Sequence, residues 1–234
     1  MAQGQLDKAI TCYQQALALN PDFAEAHNDL GIVFEAQGRL DEAIVCYERA
    51  LALKPDFAGV HKRLGTIFLR QERFSEAILC YQQALALMPD DVKVHYALGS
   101  AFSVQGRFDE AIASYQRVLA LKPDLAEAHC SLGNALGDQR RLDEAIASIQ
   151  RALALKPDVA EAHHNLGIVF MAQERFEEAI ACFQRVLALK PDYAKAHQAM
   201  GIIFESQGRL DEAAACYHRA VALPGSITVS ASKV

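Results

Sequence analysis

Hydrophobic and small residues recur along the chain in a pattern that repeats every 34 residues. Counted from Ala24 as position 1, one stripe occupies positions 4, 7, 8 and 11, and a second occupies positions 17, 20, 21, 24, 27 and 28. The first stripe reads His27, Leu30, Gly31 and Phe34. The i, i+3, i+4, i+7 spacing is that of a buried helix face. Each period therefore predicts two amphipathic helices, and the chain is predicted to be all-α.

Proline marks the same period. It recurs at intervals of 34 residues at Pro21, Pro55, Pro89, Pro123, Pro157 and Pro191, which is typical of a repeat solenoid. The repeats are predicted to be 24–57, 58–91, 92–125, 126–159, 160–193 and 194–224, the last one residue short. Residues 1–23 read as the second helix of an earlier repeat. Residues 225–234 read as a short flexible tail.

Turn residues agree with two helices in each repeat. Asp22 stands three residues before Glu25, the spacing of a capping box, and Asp124 and Asp158 stand in the same relation to Glu127 and Glu161. Position 15 is predicted to be left-handed and to end the first helix. It holds Gly38, Gly106 and Gly208 in three repeats and Glu72, Arg140 and Glu174 in the others. Because a left-handed conformation costs a non-glycine residue about 1–2 kcal/mol, these three turns are predicted to be weaker or built differently.

Glycine occupies position 8 of every repeat, inside the first helix. The six residues are Gly31, Gly65, Gly99, Gly133, Gly167 and Gly201. Glycine costs a helix interior about 1 kcal/mol relative to alanine, so close packing of two helix backbones is expected to compensate. The invariant alanine at position 20, Ala43 in the first full repeat, is predicted to face this glycine, with aromatic rings at positions 11 and 24 beside the contact.

These positions resemble the tetratricopeptide repeat family. Its pattern is matched by Leu30, Gly31, Phe34, Ala43, Tyr47, Ala50 and Pro55 and recurs six times over residues 1–224. The resemblance implies a right-handed superhelical solenoid of antiparallel helix pairs that serves protein–protein interaction. The individual repeats look most like those of bacterial arrays and of O-linked N-acetylglucosamine transferases. Leu136 and Ile149 replace both aromatic residues in repeat 126–159, which is therefore expected to pack with less bulk.

Composition excludes several partners. The net charge of −6 argues against a nucleic-acid partner, which needs a basic surface. No apolar run is long enough to cross a bilayer, so no membrane partner is predicted and the chain is expected to be cytoplasmic. Since the first helix of the first repeat is missing, the sequence also suggests a piece of a longer protein. Uncapped solenoid ends predict self-association through the ends.

Cysteines and histidines read as structural residues. Five cysteines, Cys12, Cys46, Cys80, Cys182 and Cys216, share position 23 and are predicted to fill a packing slot, too far apart for disulfides. Cys130 alone is expected to be accessible. Histidine at position 4, as in His27, is predicted to be buried, neutral and bonded through one nitrogen to backbone or water. No metal-ligand spacing and no catalytic motif is present, so no metal, no cofactor and no enzyme are predicted.

The face opposite the core varies from repeat to repeat. We call positions 2, 5, 9, 12 and 13 of the first helices the variable stripe; in the family that the chain resembles, such positions line a concave groove. The candidate partner-binding residues are Asn28, Lys62, Thr66, Arg70, Lys93, Tyr96, Ser100, Asn134, His164 and Gln198. Lys62, Arg70, Lys93 and Tyr96 form a basic and aromatic centre, which favours an acidic segment with an apolar anchor. Gly137 predicts an early helix end or close approach of a ligand backbone.

The sequence leaves three functions open. A non-catalytic scaffold that binds a partner peptide in its groove is the main prediction. The alternatives are a substrate-selecting arm of a larger, glycosyltransferase-like enzyme and a self-assembling structural protein. The asparagine ladder that the transferase resemblance would imply at position 6 is present only at Asn165.

Overall fold

The computed structural model describes residues 2–223, with side chains from residue 4 onward, and these residues form thirteen α-helices and no strand. The helices are α1 (Ala2–Leu19), α2 (Ala24–Ala36), α3 (Leu40–Leu53), α4 (Ala58–Arg70), α5 (Phe74–Leu87), α6 (Val92–Val104), α7 (Phe108–Leu121), α8 (Ala126–Asp138), α9 (Leu142–Leu155), α10 (Ala160–Ala172), α11 (Phe176–Leu189), α12 (Ala194–Ser206) and α13 (Leu210–Ala222). The predicted tail, 225–234, lies outside the described residues.

The chain divides into two compact units, residues 1–121 and 122–234. The N-terminal unit contains α1 to α7, and the C-terminal unit contains α8 to α13. In each unit the first helix of a repeat packs against the second across a three-residue turn, which makes an antiparallel pair. The predicted all-α fold of antiparallel helix pairs is therefore confirmed within each unit.

The turn between the paired helices has one geometry in all six repeats. Position 15 has a positive φ whether it is Gly38 (76°) or Glu72 (58°). The following N–H bonds the carbonyl five residues earlier, as in Arg39 N to Phe34 O at 2.9 Å and Arg73 N to Phe68 O at 2.9 Å. This is the Schellman arrangement that closes a helix. The expectation that the non-glycine turns are built differently is wrong, because these backbone bonds form regardless of the side chain.

An arginine at position 16 reinforces each of these turns. Arg39 lies over the ring of Phe34 at 4.3 Å and pairs with Glu42. The same cation–π contact recurs in four further repeats, but not in repeat 126–159, where Leu136 replaces the ring. An exposed cation–π contact contributes about 0.5–1 kcal/mol, so the arginine clamps the end of the first helix to the start of the second.

The glycine at position 8 is covered by the side chain at position 24. A Cβ on Gly31 would lie 2.6 Å from Tyr47 Cε1, and one on Gly99 would lie 2.8 Å from Tyr115 Cε1. The atoms nearest to a Cβ on Gly31 belong to Tyr47 and not to Ala43, which is fully buried; in repeat 126–159 the carbonyl oxygen of the equivalent alanine, Ala145, lies 3.1 Å from a Cβ on Gly133. In repeat 126–159 the aliphatic side chain of Ile149 fills the same place and is fully buried.

The first helices begin without the predicted capping boxes. Each starts two residues after the proposed aspartate, and the capping residue of α2 is Phe23, which makes no side-chain cap. Asp22 instead pairs with Arg49, and Glu25 with Lys54. The exception is α6, where Asp91 accepts the N–H groups of Lys93 and Val94. The boxes fail because an apolar residue holds position 34, the capping position, in every other repeat.

The histidines at position 4 bond the backbone, as predicted, in five repeats. His27 Nε2 donates to the carbonyl of Pro21 at 2.9 Å, and the equivalent rings at 61, 95, 129 and 163 donate to the preceding proline carbonyl in the same way. These five rings are half-buried, and only His197 is buried. The prediction of six buried rings is therefore wrong for five, because their edge faces the interhelix loop.

Two further expectations are corrected. Cys12 is exposed, whereas Cys130 is half-buried with its Sγ close to Asn165 Nδ2, so Cys130 is not the accessible cysteine. Helix α8 runs to Asp138, position 13, like the other first helices, so Gly137 does not end it early.

We expect Gly99→Ala to destabilise the chain by about 1–3 kcal/mol, because the new Cβ overlaps the ring of Tyr115 and overpacked cores cost that amount. Gly59→Ala is the matched control. Gly59 is also helical, but its Cβ would meet nothing within 4 Å, so this change should stabilise by up to about 1 kcal/mol. Denaturant unfolding followed by circular dichroism measures both. Equal stability of the two variants would contradict the ring–glycine contact.

Glycine at the left-handed positions of the other turns is expected to stabilise the chain. Glu72→Gly, Arg140→Gly and Glu174→Gly each relieve a positive φ and should each add about 1 kcal/mol. The control is Gln71→Gly, one residue earlier, where φ is −89°; there glycine should cost about 0.5–1 kcal/mol. Thermal unfolding distinguishes the two cases, and a Glu72→Gly variant that is no more stable than the parent would refute strain at this turn.

Candidate functional site

The variable stripe lies beside the buried glycine of each first helix. Position 8 is buried in all six repeats, and the next residue, position 9, is exposed or half-buried. In the C-terminal unit the exposed residues at position 9 include Ile168, with 44% of its surface accessible, and Ile202, with 48%. The stripe therefore presents apolar side chains that the helix pair does not need for its own packing.

Lys62 is partly neutralised by its own chain. Its Nζ lies 2.6 Å from Asp91 Oδ2 in the N-terminal unit, and both side chains are largely covered. Burial alone would raise the pKa of Asp91, but the hydrogen bonds from Lys62 and from the backbone N–H of Val94 outweigh it and lower the pKa. Asp91 thus stays ionised and compensates the Lys62 charge. Of the predicted basic centre, Arg70 and Lys93 are the exposed cations.

Tyrosine hydroxyl groups from the second helices reach the variable stripe. Tyr115 OH donates to Ser100 Oγ at 3.3 Å, and Tyr81 OH donates to Thr66 Oγ1 at 3.4 Å. The ring centroids of Tyr96 and Tyr115 lie 5.6 Å apart, and the two rings are tilted relative to each other. Three of the predicted site residues are therefore positioned by the same rings that cover the core glycines.

Glu35, at position 12 of the variable stripe, bonds two neighbours that lie outside the stripe. Tyr47 OH donates to its Oε2 at 2.8 Å, and Arg63 Nη1 lies 3.1 Å from the same oxygen. Burial and the hydrogen bond to Glu35 raise the pKa of Tyr47, so the hydroxyl remains protonated and donates. Asn28 is occupied locally, since its Nδ2 donates to Asp29 Oδ1 at 3.0 Å.

His164 is set into an aromatic corner of the C-terminal unit. Its ring lies 5.6 Å from that of Phe183 and 5.3 Å from that of Tyr193, and its buried Nδ1 has no hydrogen-bond partner within the described part of the chain. Burial, followed by the charge of Lys195, lowers the pKa of the His164 ring. The ring therefore stays neutral near pH 7. Gln198, at the equivalent position of the next repeat, is half-buried.

A cavity of about 510 Å³ lies on the stripe of the C-terminal unit, between α8 and α10. Its lining includes the predicted residue Asn134, together with Gly137, Asn165 and Ile168. The predicted site residues thus fall into two groups: Asn28, Lys62, Thr66, Arg70, Lys93, Tyr96 and Ser100 in the N-terminal unit, and Asn134, His164 and Gln198 in the C-terminal unit.

Sequence reasoning missed Asp91 and the cavity. A signal for Asp91 exists, since it is the polar residue at a position that is otherwise Phe23, Phe57, Leu125, Val159 or Tyr193. The only sequence signal for the cavity is the glycine at position 12, Gly137. Among the described residues, no cluster of three or more His, Cys, Asp or Glu side chains could hold a metal ion. None of the described helices combines the length and the hydrophobicity that a membrane span requires.

Comparison with known proteins gives two family matches. Residues 1–166 match the cilia and flagella-associated protein 70 C-terminal domain, a tetratricopeptide repeat model, and residues 158–224 match a tetratricopeptide repeat model. No curated protein matches the sequence significantly. The predicted likeness to O-linked N-acetylglucosamine transferases stays a prediction.

Solved structures share the fold. MamA is 29% identical, with a TM-score of 0.64 over 68% of this chain and 93% of its own. YrrB, described as a tetratricopeptide repeat protein with an unusual peptide-binding site, is 23% identical, with a TM-score of 0.73 over 79% of this chain and 95% of its own. A chain of the APC/C hetero-tetramer Cut9–Hcn1 is 20% identical, with a TM-score of 0.66 over 97% of this chain and 45% of its own.

We expect the melting temperature to fall as the pH is lowered from about 7 to 5. Burial lowers the pKa of both His164 and His197 in the folded chain. As the pH falls below about 6.5, the ordinary histidine pKa, these two residues therefore bind more protons in the unfolded chain than in the folded chain. The free energy of unfolding is therefore highest above that pH and decreases as the solution is acidified. His164→Phe removes one titrating ring and its unpartnered Nδ1, and should raise stability at pH 5 and flatten the decline.

His218→Gln is the control for this measurement, because His218 is exposed on α13. Thermal unfolding of the parent and the two variants between pH 7.5 and 5 gives the slopes. A parent whose stability is flat or rises on acidification, or a His164→Phe variant with the parental slope, would show that burial of these rings does not govern the pH response.

Proposed function

Because the chain belongs to the tetratricopeptide repeat family, we propose that it is a non-catalytic scaffold that binds a segment of a partner protein in a groove lined by the variable stripe. The observation that carries this proposal is that Ile168 and Ile202, on the stripe, are exposed, although each directly follows a buried glycine. Exposed apolar side chains that repeat along one face favour an interaction surface. The peptide-binding site named for YrrB, which shares the fold, supports the same class of partner.

The N-terminal unit favours an acidic partner segment. Arg70 and Lys93 are exposed on α4 and α6, and Tyr96 is half-buried on α6. Opposite charge accelerates association and fixes orientation, and a tyrosine supplies contact area at low entropic cost. Lys62 contributes less, because Asp91 already lies 2.6 Å away.

Selection from a displayed library of random short peptides tests the proposal. Peptides selected on the parent chain are synthesised and titrated against the variant Arg70→Glu with Lys93→Glu. We expect their binding to weaken by about tenfold, or about 1.4 kcal/mol, and most strongly at low salt. Lys62 is left unchanged, since Lys62→Glu would face Asp91 and disturb the fold.

The matched control is Lys8→Glu with Lys122→Glu. Both lysines are exposed and lie outside the variable stripe, so the control reverses the same number of charges as the test variant and should leave binding unaltered. Binding that is equally insensitive to both changes would exclude the basic part of the stripe. Failure to select any peptide on the folded chain would refute the proposed scaffold function.

A further inference from the structure

The cavity between α8 and α10 is opened by an absent side chain. Position 12 carries a larger side chain in the other five repeats, Glu35, Leu69, Ser103, Met171 and Glu205, but Gly137 here. The helix does not require glycine at this point, since a Cβ would lie 3.5 Å from Val169 Cγ2, an ordinary contact. Unlike the glycines at position 8, where the side chain at position 24 lies too close to admit a Cβ, Gly137 has space for one. It leaves room toward the variable stripe.

The cavity has an apolar wall formed by one helix. Ile168, Val169 and Ala172 of α10 line it; Val169 is buried, and Ile168 is exposed. The volume of about 510 Å³ falls in the range of about 300–1,000 Å³ found for ligand sites. Because exposed residues contribute to the lining, the cavity is open at the surface, which suits one side chain of a longer ligand.

Two amide side chains flank the apolar wall. Asn134 is exposed on α8, and Asn165 lies on α10 with its Nδ2 at 3.7 Å from Cys130 Sγ. An amide has two N–H donors and an acceptor oxygen, so the contact with sulfur orients Asn165 and leaves one N–H and its oxygen for another partner. A donor and an acceptor at one edge match the C=O and N–H of a peptide group.

The charges at the cavity cancel. Asp138 and Arg140 both contribute to the lining and are both exposed. A site with one charge of each sign has no net preference for an acidic or a basic ligand group. A neutral, apolar side chain therefore fits the cavity better than a charged one.

We propose that this cavity holds one apolar side chain of the bound partner segment, while Asn134 and Asn165 bond the adjacent peptide group. The occupant is an extended peptide with an aliphatic or aromatic anchor residue. This inference rests on the proposed scaffold function and adds the residue class that the C-terminal unit selects. Gly137 is then a specificity-determining residue, since any larger side chain at position 12 would occupy the anchor's place.

The test uses peptides selected from a displayed random library on the parent chain. Gly137→Met installs the side chain that the next repeat carries at position 12, Met171, and should weaken binding of the selected peptides by about tenfold or more. Asn134→Ala should also weaken it, by about threefold or more. Ala147→Met adds a side chain of the same kind at an exposed position of α9, outside the variable stripe; it is the matched control and should leave binding within about twofold.

Peptide variants give a second readout. Selected peptides should share an apolar residue, and its replacement by alanine should weaken binding to the parent about tenfold while having little further effect on Gly137→Met. If Gly137→Met lowers the helical circular dichroism signal, Asn134→Ala and the peptide variants still decide the outcome. Peptides that bind parent and Gly137→Met equally would overturn the anchor cavity and leave the scaffold function standing. A library that yields no binder would overturn both.

Discussion

The contact between the side chain at position 24 and the glycine at position 8 sets the geometry of every helix pair. In five repeats an aromatic ring lies so close that a Cβ on the glycine would approach it to within 2.8 Å or less. Real Cβ atoms do not tolerate such distances, so only glycine permits the two helices to pair in this way. The cost of glycine inside a helix, about 1 kcal/mol, is offset by burial of a whole ring.

The same ring links the core to the variable stripe. Tyr47, Tyr81 and Tyr115 cover the glycine with one edge, and their hydroxyl groups bond Glu35, Thr66 and Ser100 on the stripe. Repeat 126–159 has Ile149 at this position and repeat 160–193 has Phe183, neither of which carries a hydroxyl. Tyrosine hydroxyl groups therefore hydrogen-bond stripe residues in the N-terminal unit, whereas the repeats around the cavity of the C-terminal unit have no such hydroxyl at this position. Replacement of the core tyrosine by isoleucine or phenylalanine at position 24 thus changes which polar groups of the stripe are available to a ligand.

The ion pairs that recur from repeat to repeat contribute little to stability, whereas the pair that affects the variable stripe occurs in one repeat only. Position 2 pairs with position 31 in three repeats, as in Glu25 with Lys54, and those side chains are about half exposed. Exposed pairs of this kind contribute about 0–1 kcal/mol. The pair between Lys62 and Asp91 occurs in one repeat, is more buried and also caps α6. It decides which cations of the stripe remain available.

The sequence by itself determined the helix pairs, the positions of the turns and the family. These features depend on local spacing: Gly31 and Tyr47 recur at fixed positions, and the backbone closes each turn identically whether position 15 is Gly38 or Glu72. Tertiary structure alone decided which side chain covers the glycine, because Ala43 and Tyr47 both lie on the inward stripe and periodicity does not distinguish them. It also decided that Lys62 meets Asp91 and that Gly137 opens a cavity. Those outcomes depend on distances between residues about 30 positions apart, which side-chain packing sets and a sequence pattern does not contain.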